Sequence, residues 1–331
     1  MPNLPRGFQA WPHDAVDLEP GDIARIYAQG FAGALPNAAD REQIASQNDG
    51  NFADAAQSYG LAGTGEGKLS LPFLSVLKFS REKYSVAQKT GDCVSHGTRN
   101  ALDVSRAVQI DIKGQPEEWG EDAATETIYW GRGHSGQGAS CSTLAKFVQS
   151  RGGILLRLQY PDLGLDLRSY NWQTGANGSK GPPDKVLEEM RKHQVQTVSY
   201  IDPANDPLAQ ARDALANGYG ISCCSGYGFS STRDSDGIAR RQGSWSHCMA
   251  WTAVDDREET KQKHGGPLFL VQNSWGYNWI GGPKVNQQPD GSFWIKPNDA
   301  LGILKSDGSF VLSNIRGFPA RKLPDYGTNY W

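Results

Sequence analysis

No stretch of this chain is apolar for long enough to cross a membrane, because its hydrophobic runs fall well short of about 18 residues. Residues 1–11 also lack the basic and then apolar segments of an export signal. Acidic and basic side chains nearly balance at a net charge of -3, which gives no electrostatic reason to expect a nucleic-acid partner or an anionic membrane. We therefore predict a cytoplasmic or otherwise unexported protein with neither kind of partner.

Cysteines with the spacing of a metal site are also missing. The five cysteines, an odd number, include no C-x-x-C pair, which argues against zinc. We predict no metal and no cofactor. All cysteines except Cys93 are expected to pack as reduced thiols. The five are Cys93, Cys141, Cys223, Cys224 and Cys248.

Three polar residues that are present stand in local sequences that suit acyl transfer. Cys93 precedes an amphipathic stretch, so its sulfur is predicted at a helix N-terminus, where the helix dipole favours a thiolate. His247 and Asn273 lie in or beside apolar, strand-like runs, and an amide oxygen can hold an imidazole base in one tautomer. Each residue alone is more often a packing residue, but the three together favour a cysteine-nucleophile site. His96, one turn after Cys93, is expected to pack within the helix.

The chain divides into an arm and one larger domain. Residues 1–67 contain few large apolar side chains, so we predict an arm with helices near 22–31 and 38–46. Residues 68–331 are predicted to form an α+β domain, because helical periodicity comes first and short β-rich runs follow. Its predicted parts are a helical lobe over about 88–195, a β lobe over about 196–316 and a C-terminal tail over 317–331.

The predicted elements of this domain can be stated individually. Helices are expected over 93–110, 121–130, 142–150, 183–193 and 206–216. Strands are expected over 246–254, 268–272, 292–296 and 309–313. The polar stretch 255–266 is interpreted as a loop between two strands.

Between about residues 70 and 315 the order of the motifs resembles the papain-like cysteine peptidases. Residues 88–93 (Gln-Lys-Thr-Gly-Asp-Cys) resemble that family's nucleophile loop, and residues 136–138 (Gly-Gln-Gly) resemble its glycine-rich substrate loop. The most specific segment is 269–276, an apolar strand that runs into Asn-Ser-Trp-Gly. The resemblance implies a two-lobe fold in which a helical lobe packs on an antiparallel β-sheet or barrel lobe, with the active-site cleft between them.

The resemblance also implies a role for each of these residues. Cys93 would be the nucleophile, His247 the base and later the acid, and Asn273 the group that orients the imidazole. The Gln88 side chain and the Cys93 amide would form the oxyanion hole. Substrate-binding residues would be Gly136, Gln137, Gly138, Trp245, Ser246 and Trp275, with Trp275 also shielding the bond between His247 and Asn273.

Some positions depart from the family's pattern. The family's nucleophile segment reads Cys-Gly-Ser/Ala-Cys-Trp/Tyr, whereas residues 90–94 read Thr-Gly-Asp-Cys-Val. The upstream cysteine is absent, so its disulfide is expected to be absent too. Gln88 precedes Cys93 by five positions, one fewer than usual in the family. Trp245 and Ser246 before the histidine imply a restricted or unusual specificity pocket.

The implied function is thiol-dependent hydrolysis of a polypeptide through an acyl-enzyme. An amidase or transpeptidase could use the same Cys-His-Asn triad. A structural or binding component of a larger assembly, built on the same scaffold without turnover, is the alternative from another functional class. Residues 1–67 are either an inhibitory prosegment that crosses the cleft or a permanent arm or docking element.

Overall fold

The computed structural model describes residues 34–35, 50–306 and 308–327. The helices predicted near 22–31 and 38–46 lie outside these residues. Within the described part of the chain, no helix is long and apolar enough to span a membrane.

A 21-residue helix, α3 (Cys93–Lys113), forms the centre of the helical lobe. Nearly all of its side chains are buried, and it ends at Gly114, whose left-handed φ of 67° is readily adopted only by glycine. The remaining helices are α1 (Phe52–Ser58), α2 (Phe73–Phe79), α4 (Thr125–Tyr129), α5 (Cys141–Ser150), α6 (Trp172–Asn177), α7 (Asp184–Met190), α8 (Pro207–Ala216), α9 (Glu258–His264) and α10 (Pro297–Leu304).

The sheet lobe is antiparallel. Among the described residues its strands lie in the order β12-β11-β10-β7-β13-β6, with β2 paired to β10, and the path does not close into a barrel. The predicted α+β class is therefore confirmed, with an open sheet. These strands are β2 (Leu69–Ser70), β6 (Thr197–Tyr200), β7 (Ile221–Ser225), β10 (His247–Asp255), β11 (Leu268–Gln272), β12 (Ser292–Ile295) and β13 (Ser309–Ser313). Short pairs are formed by β1 (Ala34–Leu35), β3 (Ala139–Ser140), β4 (Gln159–Tyr160), β5 (Leu165–Asp166), β8 (Phe229–Arg233) and β9 (Ala239–Arg241).

Two glycines let helix α3 lie directly on the sheet. A Cβ atom at Gly97 would lie 2.5 Å from the sulfur of Cys248 on β10, and one at Gly220 would overlap the backbone of Ala101. Glycine removes both overlaps, so the backbones approach closely. The start of α3 is thereby held against the start of β10, which is where the sequence placed the nucleophile and the base.

Two segments differ from the sequence-based expectation. The stretch 255–266 contains helix α9 and is not only a loop. Its Glu258 and Glu259 come first and its basic residues come last, an order that favours a helix through its dipole. The helix expected over 121–130 begins only at Thr125, because Ala123 and Ala124 are extended and hydrogen bond to the chain near Leu156.

A buried ion network lies between helix α3 and the loops of the helical lobe. Arg99 pairs with Glu82 at 2.7 Å, Asp103 at 2.9 Å and Asp122 at 3.2 Å. Arg157 pairs with Glu82 at 3.0 Å and with Glu126 at 2.6 Å. The network comprises Glu82, Arg99, Asp103, Arg106, Asp122, Glu126 and Arg157. Apart from Glu82, whose side chain is 17% exposed, its charges are removed from water, so each depends on its partners.

Candidate active site

Cys93 is the first residue of helix α3 and its side chain is fully buried. The preceding residue, Asp92, does not cap the helix with its side chain. Its carboxylate instead accepts a hydrogen bond from the hydroxyl of Tyr170 at 2.8 Å. Because Cys93 is the first residue of the 21-residue helix, its sulfur lies at the positive end of the helix dipole, which favours a thiolate.

His247 opens strand β10 and is hydrogen bonded to Asn273, just after β11. His247 Nε2 lies 2.7 Å from Asn273 Oδ1. The same oxygen accepts the backbone N–H of Ser274 at 2.7 Å, which identifies it as the carbonyl oxygen of the amide. Nε2 must therefore carry the proton, and the lone pair of the neutral ring is on Nδ1.

Aromatic side chains enclose this histidine. The ring of Trp275 lies 4.8 Å from that of His247 and is tilted by 30°. Trp245 packs 4.4 Å from Trp275, and Trp279 lies 5.2 Å from Trp275 on another side. All three tryptophans are buried, so Trp245 is part of an aromatic wall beside the histidine.

The loop before Cys93 is attached to the loop after Asn273. Gln88 donates its backbone N–H to the Ser274 carbonyl at 2.8 Å, and its side-chain oxygen accepts the Ser274 hydroxyl at 2.6 Å. Its side-chain nitrogen donates to the Thr90 carbonyl at 2.8 Å. These bonds attach the loop that leads to Cys93 to the segment that carries Asn273, the partner of His247, at one seam between the lobes. Ser274 was missed by sequence reasoning, although it lies inside the Asn-Ser-Trp-Gly segment.

The glycine-rich loop packs directly on the nucleophile loop. The side-chain oxygen of Gln137 accepts the Thr90 hydroxyl at 2.6 Å and the Gly91 N–H at 2.9 Å. A Cβ atom at Gly91 would lie 2.9 Å from the Gly138 nitrogen. Gln137 thus braces the nucleophile loop through its side chain. Gly136 lies farther along this loop, where its carbonyl accepts Arg132 Nε at 3.2 Å.

A short segment near the start of the chain reaches this seam. Residues Ala34–Leu35 pair in parallel with Ala139–Ser140, directly after the glycine-rich loop. The Ala34 N–H also donates to the Ser246 carbonyl at 2.8 Å. One backbone acceptor beside His247 is therefore occupied by the chain itself.

Comparison with known proteins identifies the fold. No protein-family model matches the chain, and no curated protein matches its sequence. Xylellain, a cysteine protease from Xylella fastidiosa, is structurally similar with a TM-score of 0.52 and 18% identity, over 86% of this chain and 96% of xylellain. This chain has the papain-like fold.

Two further solved structures with the papain-like fold are proforms. The Amb a 11 cysteine protease, a ragweed pollen allergen, gives a TM-score of 0.44 and 13% identity over 87% of this chain and 77% of that chain. Procathepsin L2 from the larval midgut of Tenebrio molitor gives a TM-score of 0.42 and 14% identity, over 70% of this chain and 64% of that chain.

The papain-like fold of this chain contains one disulfide, which the sequence analysis did not predict. Cys141, at the start of α5, is bonded to Cys224 on β7, and Cys223 and Cys248 are free and buried. The expectation of reduced thiols was therefore wrong for Cys141 and Cys224. The two are 83 residues apart, and only the packing of the lobes brings them together. Disulfides are rare in reducing compartments, so this bond does not support the expectation of an unexported chain.

His247 makes the stability of this papain-like fold sensitive to acid. Burial lowers its pKa to about 3, despite the bond to Asn273, which raises the pKa, and His96 lowers the pKa further. An unfolded histidine has a pKa of about 6.5. Below that pH the unfolded chain takes up a proton that the folded chain does not. The free energy of unfolding should therefore fall by up to about 1.4 kcal/mol per pH unit between pH 6.5 and 3, and be unaffected above pH 6.5.

Urea unfolding of the wild type and of His247→Gln at pH 7 and pH 5 checks this expectation. The wild type should lose about 2 kcal/mol more than the variant over this interval. Equal losses in the two proteins would show that His247 is not buried in its neutral form.

Proposed function

We propose that this chain is a cysteine peptidase in which Cys93 attacks the peptide carbonyl and His247 transfers protons. The observation that supports this most is the 2.7 Å bond from His247 Nε2 to Asn273 Oδ1. It leaves Nδ1 of a neutral ring as the atom that can accept the thiol proton. The same ring lies beside Trp275, which keeps water from competing for the bond.

The reaction proceeds in two acyl transfers. The Cys93 sulfur bonds to the carbonyl carbon, and the C–N bond breaks as His247 gives its proton to the leaving amine. Water then adds to the thioester after losing a proton to His247, and the acid product leaves as the thiol is restored. The oxyanion of each intermediate is stabilised by the Cys93 N–H and by the side-chain amide of Gln88. Donors of this kind contribute about 3 to 4 kcal/mol each.

The chain segment at Ala34 keeps this site latent. Its bond to Ser246 and its pairing with Ala139–Ser140 place backbone at the seam, and Cys93 and His247 are both 0% exposed. Burial also holds His247 neutral, as its pKa of about 3 reflects. A neutral imidazole cannot pair with a thiolate as an imidazolium, so opening of the seam is needed for the reactive ion pair.

An epoxide electrophile, which alkylates a thiolate as its ring opens, tests this function. At pH 5 we expect stoichiometric labelling of Cys93, located by peptide mass spectrometry, together with hydrolysis of a fluorogenic peptide. Cys223 is the internal control, because burial raises its pKa to about 12 and it should remain unlabelled. Equal, sluggish labelling of both thiols without turnover would contradict the proposal and favour a non-catalytic component of an assembly. A product joined to an added amine would indicate a transpeptidase.

Ala34→Pro should activate the protein. Proline has no N–H, so the bond to the Ser246 carbonyl is lost. One lost hydrogen bond destabilises the closed state by about 1 kcal/mol, which raises the fraction of open molecules about fivefold. The labelling rate of Cys93 should rise by the same factor. Ala34→Ser, which keeps the N–H, is the matched control and should label like the wild type. An unchanged rate in Ala34→Pro would exclude this contact as an inhibitory one.

A further inference from the structure

Three sulfur atoms meet in the interior where the lobes join. The Sγ atoms of Cys141, Cys224 and Cys248 all lie within 4.8 Å of one another, and all three residues are buried. Cys248 Sγ lies 3.6 Å from Cys141 Sγ. The Cys141–Cys224 disulfide therefore has a free thiol directly beside it.

The fold builds this cluster from three different elements. Cys224 and Cys248 are opposite each other in the register of β7 and β10, so their side chains share one face of the sheet. Cys141 approaches that face from the first residue of α5. Gly97 on α3 leaves the space that the Cys248 sulfur fills. Cys223, next to Cys224 on the strand, faces the other way.

The surroundings suit sulfur as an anionic ligand. Cys141 is the first residue of the ten-residue helix α5, whose dipole favours a thiolate there. The Ser222 hydroxyl lies 3.3 Å from Cys248 Sγ and can donate to it. A cation bound at about 2.3 Å from each of three sulfurs requires the sulfurs to be about 3.8 Å apart. The 3.6 Å between Cys141 and Cys248 is close to this separation.

We propose that the reduced cluster of Cys141, Cys224 and Cys248 binds one thiophilic cation of the Zn²⁺, Cd²⁺ or Cu⁺ class. A dithiol reductant supplies two electrons and two protons, becomes a disulfide itself and converts the Cys141–Cys224 bond to two thiols. Each sulfur that then ligates the cation releases its proton to solvent. Soft thiolate ligands select these cations over Mg²⁺ or Ca²⁺.

The disulfide and the cation exclude each other, because Cys141 and Cys224 cannot be bonded together and also serve as two separate ligands. Cys141 belongs to the helical side, whereas Cys224 and Cys248 belong to the sheet. The cation would therefore replace one cross-link between the lobes by another.

Cd²⁺ titration tests the proposal. Every protein in this titration carries Cys93→Ser, which removes the thiol of the proposed nucleophile. The result therefore does not depend on peptidase activity. After reduction with a phosphine, which competes for metal less than a dithiol does, we expect one Cd²⁺ per chain with a thiolate-to-cadmium absorption band. The oxidised protein should show no band. Adding Cys248→Ser should weaken binding at least tenfold, and adding Cys223→Ser should not weaken it.

Two results would overturn the proposal: a reduced protein without the band, or equal Cd²⁺ affinity in the Cys248→Ser and Cys223→Ser proteins. A second measurement needs no variant of the cluster. Bound Cd²⁺ should slow the return of the Cys141–Cys224 disulfide at least tenfold when diamide is added, as followed by mass spectrometry of the peptides. Reoxidation at the same rate with and without Cd²⁺ would equally exclude the site.

Discussion

Replacing Cys93 with serine should lower kcat/KM for peptide hydrolysis by about 10⁴-fold or more. The serine hydroxyl at the start of α3 is not ionised near neutral pH, and a neutral imidazole removes a proton from an alcohol less readily than from a thiol. The helix dipole that favours a thiolate therefore gives little help to an alcohol. Progress curves with a fluorogenic peptide measure the loss, and thermal unfolding shows whether the fold is retained.

Cys223→Ser is the matched control for this prediction. Cys223 is a buried cysteine outside the disulfide, but it lies on β7 and is not proposed to take part in catalysis. Its variant should keep the kcat/KM of the wild type. The double variant Cys93→Ser with His247→Ala should lose little more than Cys93→Ser alone, because the two residues act as a unit. More than a tenth of the wild-type activity in Cys93→Ser would assign the hydrolysis to another group.

Arg99→Met should lower the free energy of unfolding by about 3 to 5 kcal/mol. Arg99 is the cation shared by Glu82, Asp103 and Asp122, and its side chain is 4% exposed. Methionine can fill much of the volume, but it leaves buried carboxylates without this partner. Burial already raises the pKa of Asp103, and the charges of Arg99 and Arg106 oppose that rise. Removing one of them should raise it further.

Lys78→Met provides a surface comparison. Lys78 pairs with Asp111 at 2.7 Å, as short a contact as that of Arg99 with Glu82, but its side chain is 57% exposed. An exposed pair contributes up to about 1 kcal/mol. Urea titrations of both variants at pH 7 compare them directly. Equal losses of stability would show that burial of the network does not add to its strength.

The sequence was informative wherever periodicity or a turn residue determined the backbone. The predicted strands 268–272 and 309–313 have those bounds in the structure, because alternating or continuous apolar runs ended by polar residues leave little choice. The predicted helix at Cys93 begins there and extends to Lys113. The papain-like fold was likewise predicted from short motifs in the right order, and the structural similarity to xylellain confirmed it.

Contacts between distant segments could not be predicted in this way. Nothing local to Cys141 indicates that it lies against Cys224, and nothing local to Tyr170 indicates that it bonds to Asp92. The side-chain oxygen of Gln137, a predicted substrate-binding residue, accepts hydrogen bonds from Thr90 and Gly91, and no sequence motif indicated this bracing role. That role depends on the path of two loops that are about 45 residues apart, which only the tertiary structure determines. The roles of the triad and of the substrate-binding residues stay predictions.

The bond from the Ala34 N–H to the Ser246 carbonyl has a consequence for ligand screening. The Ala34 segment belongs to the same chain, so its contact with this carbonyl is intramolecular and acts at a high effective concentration. Any ligand that needs the same carbonyl must first displace the Ala34 segment. The apparent Kd of the ligand is therefore its intrinsic Kd divided by the fraction of molecules in which the Ser246 carbonyl is not bonded to Ala34. Compounds ranked by their affinity for the intact chain would thus be ordered partly by how well they displace the Ala34 segment. A low measured affinity would not mean that a compound fits the site poorly.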